Sequence, residues 1–250
     1  MSCCDETTAR VPDTDVSRRS LFKGAALIAS VISAARPTRS EAQGKQIKLA
    51  YCSQLLCGVP YEVARSRVLV ERSAYDRFLE LLVESTGKVV VGDPEDDATE
   101  MGPLVSAAHR ELVASFVEGE PLFRGAVPDG PGFWYPCTLV EAANEDRIAR
   151  EEVFGPVAAV IPFEDEADAI RIANDTPYGL SGSIWTRDGA RALRVARALE
   201  TGVLSVNSNS SVRVQTPFGG FKQSGFGREL GMQALDGYSE VKSVFLSTEV

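Results

Sequence analysis

Val157-Ala158-Ala159-Val160-Ile161-Pro162-Phe163 is an unbroken run without a charged or hydrogen-bonding side chain. A strand covered on both faces reads this way, whereas a strand with one wet face alternates. Glu166 to Asn174 follows as a short amphipathic helix, stopped by the turn residues Asp175-Thr176-Pro177-Tyr178-Gly179. Leu180 to Thr186 is the next strand, and Gly189 to Glu200 is an Arg/Ala-rich helix with Leu193 and Val195-Ala196 turned toward the core. Gly202 to Val206 closes the series as a strand. Strand, helix, strand, helix, strand predicts an α/β domain with a mostly parallel sheet flanked by helices.

Upstream, Ser66-Arg67-Val68-Leu69-Val70-Glu71 has the β-branched character of a strand. Ser73 is an N-cap residue for an amphipathic helix over Ala74 to Glu84, with Phe78, Leu81 and Leu82 on one face. Val89 to Val91 reads as a strand stopped by Gly92-Asp93-Pro94. Ser106 caps a second helix carrying Leu112, Val113 and Phe116. Gly125 to Gly132 is a loop, and Trp134 to Val140 returns to strand.

The net charge of −9 over 250 residues excludes a nucleic-acid footprint, which needs a basic surface. His109 is the single histidine, read as a surface residue on the Ser106 helix, so histidine-based metal sites are not expected. The cysteines, at 3, 4, 52, 57 and 137, contain no C-x-x-C pair, so neither a zinc ribbon nor a thioredoxin-type site is expected.

The first residues differ in character. Ser17-Arg18-Arg19-Ser20-Leu21-Phe22-Lys23 resembles a twin-arginine export motif and precedes the small, apolar run Gly24 to Ala35. That run is shorter than the roughly 20 residues of a membrane span but suits a signal peptide. Ser40-Glu41-Ala42 offers a peptidase site, so residues 1–42 are expected to be a targeting segment cleaved before Gln43. Export follows from the leader, a cytoplasmic enzyme from the body. Gln46 to Tyr51 reads as a short alternating strand, Cys52 to Pro60 as a loop, and Tyr61 to Arg65 as the opening of a helix. Residues 43–65 thereby resemble the start of periplasmic binding proteins of the nitrate and sulfonate type. The abrupt change at Ser66 looks like a fusion.

Beyond that point six segments share one pattern. They are Gly92-Asp93-Pro94, Met101-Gly102-Pro103-Leu104, Glu151-Glu152-Val153-Phe154-Gly155-Pro156, Asn174 to Gly182, Gly202 to Asn207, and Pro217 to Gly225 followed by Gly227-Arg228-Glu229-Leu230-Gly231. Each resembles a motif of the NAD(P)-dependent aldehyde dehydrogenases, in the family's order. The resemblance implies a partial catalytic domain over residues 66–250. It also implies NAD or NADP as cofactor, a small aldehyde as substrate, and association with like chains or intact family subunits.

By the same resemblance Glu152 and Phe154 match the cofactor-binding positions: the carboxylate accepts bonds from the ribose hydroxyls, and the ring packs on ribose and nicotinamide. Read as local chemistry alone, they are a solvated turn carboxylate and a core aromatic. Asn207 and the loop to Val212 match the lining of the aldehyde channel. Glu240 lies in a tail that looks like the family's C-terminal oligomerisation strand. Pro217 to Gly225 lacks the strand-to-helix setting of a phosphate cradle and reads as a packed loop.

The family's chemistry needs a cysteine thiolate four residues before the Ser-Arg pair, and here that position falls on Glu62. A carboxylate is a weak nucleophile and repels a developing oxyanion. Cys52 and Cys57 lie upstream of that position, so no catalytic residue is assigned. The chain is expected to be inactive alone.

Overall fold

The computed structural model describes residues 50–54, 66–208 and 212–248. The strands of its main sheet are β1 (Ala50–Gln54), β2 (Arg67–Glu71), β3 (Phe123–Arg124), β4 (Thr138–Glu141), β5 (Val157–Phe163), β7 (Ser181–Trp185) and β8 (Val203–Val206). Their spatial order is β3-β4-β5-β2-β1-β7-β8. β4, β5 and β2 pair in parallel, as do β7 and β8, while β3 is antiparallel to β4, and β1 to both its neighbours. The fold is therefore α/β with a mostly parallel sheet, as the apolar run at β5 implied.

Both faces of the sheet are covered. Leu69, Val157, Ala159, Ile161 and Phe163 belong to one core with Val113, Ile172 and Val195. Val68, Val70 and Val160 turn the other way, to Phe78, Leu82 and Trp185. The helices that supply these side chains are α1 (Tyr75–Thr86), α2 (Ala107–Ala114), α4 (Glu166–Asn174) and α5 (Gly189–Ala198), with a short α3 (Arg147–Arg150) before β5. Asp165 caps α4 and Asp188 caps α5 through side-chain oxygens that accept from Asp168 N and Arg191 N. Arg67 is buried at the start of β2, where its guanidinium donates to the carbonyls of Ile172 (3.1 Å) and Ala173 (3.0 Å). These carbonyls end α4, where a cation complements the helix dipole.

Several local expectations change. Ser73 does not cap α1: a 3-10 turn over Arg72–Ala74 intervenes, and the Ser73 hydroxyl donates to Glu71 instead. Val89 to Val91 forms only an isolated bridge, Val91 to Met101, and strand β4 begins at Thr138 rather than Trp134. Leu112 and Leu193 are exposed, because the helix faces that pack are set by Val113 and Val195. Cys52 to Gln54, read as loop, extends a strand that begins at Ala50, whereas residues 46–49 and the helix expected over 61–65 lie outside the described residues. The tail around Glu240 is exposed and carries no strand among the described residues of this single chain.

Tyr178–Gly179 (β6) and Phe221–Lys222 (β9) make a separate two-stranded ribbon. Lys222 Nζ donates to Asn174 O (2.6 Å) and pairs with Glu200 (2.7 Å). A Cβ on Gly202 would fall on the carbonyl oxygen of Gly219, so the glycine-rich segment is a packed loop. No helix among the described residues is long and apolar enough to cross a membrane.

Arg67→Met should lower the unfolding free energy by about 2–4 kcal/mol, because it orphans two helix-end carbonyls in a closed core. Urea denaturation followed by far-UV dichroism checks this. A change under about 0.5 kcal/mol would show that the guanidinium is dispensable there.

Candidate functional site

The segment between α3 and β5 brings together the two residues singled out for cofactor contact. Arg147, in α3, lies 4.0 Å from the centroid of the Phe116 ring and pairs with Glu151 at 3.2 Å. Next, Val153 is buried at 1% exposure and pins the segment to the core. Glu152 and Phe154 flank it, and each is half-buried.

Phe154 has φ of 55°, in the left-handed region that a bulky residue adopts only when its surroundings force it. Two contacts from α2 supply that force. The carbonyl of Phe154 accepts a hydrogen bond from His109 Nε2 at 2.8 Å. Since a carbonyl can only accept, the ring carries its proton on Nε2. The two rings also meet edge to face, with centroids 6.2 Å apart. One turn further along the same face, Val113 comes so close to Gly155 that a Cβ there would sit 2.7 Å from a Val113 methyl. His109 and Val113 thus hold the turn as an i, i+4 pair. His109 was expected on the surface; it is half-buried and buttresses the turn. Nothing local could show this, because the contact joins residues 45 positions apart.

Glu152 is one of five described residues, with Tyr75, Tyr135, Asn144 and Thr201, that bury a side-chain oxygen without a hydrogen-bond partner, and the only carboxylate among them. Its Oε1 is closed off from solvent and has no hydrogen-bond partner. Burial pushes its carboxyl above the ordinary carboxylate range, and no neighbouring cation opposes the shift. A buried acceptor without a donor is uncommon in a settled core.

Asn207, matched to the channel lining, also has positive φ, and its amide is already committed. It accepts from Thr186 N (3.0 Å) and donates to Thr186 O (2.9 Å), joining the ends of β7 and β8. Residues 209–211, Glu62 and Cys57 lie outside the described residues. Cys137 is partly buried, and burial followed by the nearby Glu100 charge pushes its thiol up to about 11. It is not a thiolate at neutral pH. Among the described residues no group of three or more His, Cys, Asp or Glu could hold a metal ion.

This fold and turn are those of a dehydrogenase-type α/β domain, and comparison with known proteins gives it a family. The Aldehyde dehydrogenase family pattern matches residues 63–244, and the chain belongs to that family. It is 44% identical over 191 residues to betaine aldehyde dehydrogenase of Sinorhizobium fredii, covering 72% of this chain and 39% of that one. To the corresponding enzyme of Agrobacterium fabrum it is 45% identical over 193 residues, covering 73% and 39%. Betaine aldehyde dehydrogenase from Staphylococcus aureus, solved in complex with NAD+, superposes with a TM-score of 0.66 and 39% identity, over 70% of this chain and 37% of that. A mutant aldehyde dehydrogenase from Bacillus cereus gives a TM-score of 0.69 and 37% identity over 73% and 39%. The chain therefore spans about two fifths of the length of the relatives it matches.

Glu152→Gln should raise the Tm near neutral pH, since it removes a buried charge that no donor satisfies. The sign follows from the raised pKa. Above the folded-state pKa the wild type bears the full penalty, and below the unfolded value of 4.5 it bears none. The gap between variant and wild type should therefore shrink as pH falls through that window. Calorimetric melts across the acid range check it, and a gap that grew toward acid would refute it.

Proposed function

We propose that this chain is a partial aldehyde dehydrogenase catalytic domain that keeps a nicotinamide-side half-site but lacks the nucleophile, and so does not oxidise aldehydes by itself. The unpartnered Oε1 of Glu152, beside the constrained Phe154, carries this reading. An orphaned acceptor in a rigid, half-buried turn is what a ligand rich in hydroxyl donors would satisfy.

NAD, or NADP, fits that description. When bound, it supplies the oxidant, taking hydride from the aldehyde-derived carbon. Glu152 would accept from the ribose hydroxyls, and the Phe154 ring would pack against ribose and nicotinamide. His109 would hold Phe154 in place through its carbonyl.

For the nucleophile, the counting from Ser66-Arg67 puts Glu62 where a thiolate is needed. Cys137 does not substitute, being protonated and wedged 3.9 Å from the Met101 sulfur.

The organisation we propose is a targeting segment over 1–42, a short binding-protein-like stretch over 43–65, and the family domain with its tail over 66–250. In this reading the leader exports a folded product, and the partners are a small aldehyde and other chains of the family, including further copies of this one.

Purified full-length chain incubated with propanal or betaine aldehyde and NAD should form no NADH above the protein-free blank. NADH formation, whether lost or kept in Cys57→Ala, would overturn the missing nucleophile; loss would assign it to Cys57. Calorimetric titration with NAD tests the half-site separately. Glu152→Gln should weaken binding by roughly 10- to 100-fold, the worth of a hydrogen bond to a charged acceptor. Unchanged affinity would remove Glu152 from the cofactor site.

A further inference from the structure

Ala50–Gln54 lies upstream of the residues that match the family, yet it is in the middle of the sheet. Its backbone is paired on both sides. Ala50, Tyr51, Cys52 and Ser53 oppose Val70, Leu69, Val68 and Arg67 of β2. The same four oppose Trp185, Ile184, Ser183 and Gly182 of β7. Because β1 is antiparallel to both, β2 and β7 run parallel to each other. β4, β5, β2, β7 and β8 then all point one way, and β1 alone in the interior runs against them.

The walls of this position are closed to water. Val68, Leu69, Val70 and Ile184 are each 0% exposed, and Ser181 and Ser183 are nearly so. Two buried strand edges facing each other without a strand between them would leave rows of unpaired amide and carbonyl groups. Parallel pairing is not required to fill such a gap, since a strand of either direction satisfies the same groups. The relatives have the rest of their length outside the matched part, as this chain covers only 39% of them.

We infer that β2 and β7 form a strand-binding slot, and that Ala50–Gln54 fills it from outside the family region, standing in for a strand that the longer relatives draw from the part of their chains not matched here. The ligand of such a slot is an extended peptide recognised through its main chain, the β-augmentation mode, placed in the sheet interior rather than on an edge. This holds whether or not the domain binds NAD. It also gives Ala50–Gln54 a structural task compatible with export, because cleavage before Gln43 would leave the strand in the product.

Hydrogen exchange on the full chain gives the first reading. Amides of residues 50–54 should be protected as strongly as those of Val68 to Val70, and exchange at the unstructured rate would overturn the inference. Cross-linking gives the second. In a Cys57→Ala background, Ser183→Cys places a thiol at the register partner of Cys52, where Cα separations of about 4.5–5.5 Å permit a disulfide. Oxidation should link Cys52 to the new thiol. The same experiment with Ser205→Cys, one strand further away, should give no link. Absence of the first link, or equal yield of the two, would overturn the register. Finally, Tyr51→Pro removes a ladder donor and should lower the Tm. A synthetic peptide spanning residues 46–54, added in trans, should restore the Tm in a saturable way, and no effect of the peptide would refute a slot that binds strands.

Discussion

Arg67–Glu71 and Val157–Phe163 lie side by side and parallel, and a parallel pair must be covered on both faces because its connections carry helices across it. That requirement organises the molecule. Leu69 and Ile161 point into one core and Val68, Val70 and Val160 into the other, so neither strand can shift by one residue without turning both cores inside out. Arg67 adds a polar lock, since its two bonds to the end of Glu166–Asn174 tie the helix to this register. The turn that bears Glu152 and Phe154 leads directly into Val157, so its position is inherited from the same pairing.

What could be read from the sequence divides along the range of the interactions involved. Val157–Phe163 and Glu166–Asn174 were legible to the residue, because an uncharged run, an amphipathic pattern and the Asp175-Thr176-Pro177 stop are all local signals. Glu152 and Phe154 were singled out through a motif, whereas the contacts that hold them could not be read from the sequence. The His109 bond to Phe154 and the Val113 contact with Gly155 come from a helix far away in sequence, and a lone histidine has no periodicity to betray its direction. Ser73 misled for a related reason: its hydroxyl had a competing acceptor, Glu71, that propensity does not weigh. Strand Ala50–Gln54 was misplaced because its boundaries are set by two distant strands, not by its own alternation.

The turn also shows a local conflict between stability and use. A left-handed phenylalanine is a strained choice, on the order of 1–3 kcal/mol, and so is a buried carboxylate oxygen without a donor. Folding alone would replace both. They persist beside contacts that could relieve them if they were free to move, and His109, Val113 and Val153 instead prevent the movement. Strain held in place at a rigid turn is what binding requires, because the ligand then meets the acceptor without first having to order it.

Asn207 marks the contrasting case. It too adopts a positive φ and it too sits in a family motif, but both ends of its amide are consumed by the Thr186 backbone. An asparagine tolerates that conformation readily, and the paired bonds to the Thr186 backbone fix the amide's orientation. The two positions therefore differ in what the surrounding backbone supplies to the side chain: a donor and an acceptor for Asn207, neither for Glu152 Oε1. The motif at Gly202 to Asn207 thus ties the ends of two neighbouring strands together, while the motif at Glu151 to Pro156 holds a carboxylate oxygen that has no partner among the described residues. The packing that holds the Glu151 to Pro156 turn comes from Ala107–Ala114, through the His109 bond to the Phe154 carbonyl and the Val113 contact with Gly155, so the turn's shape is set by the fold itself.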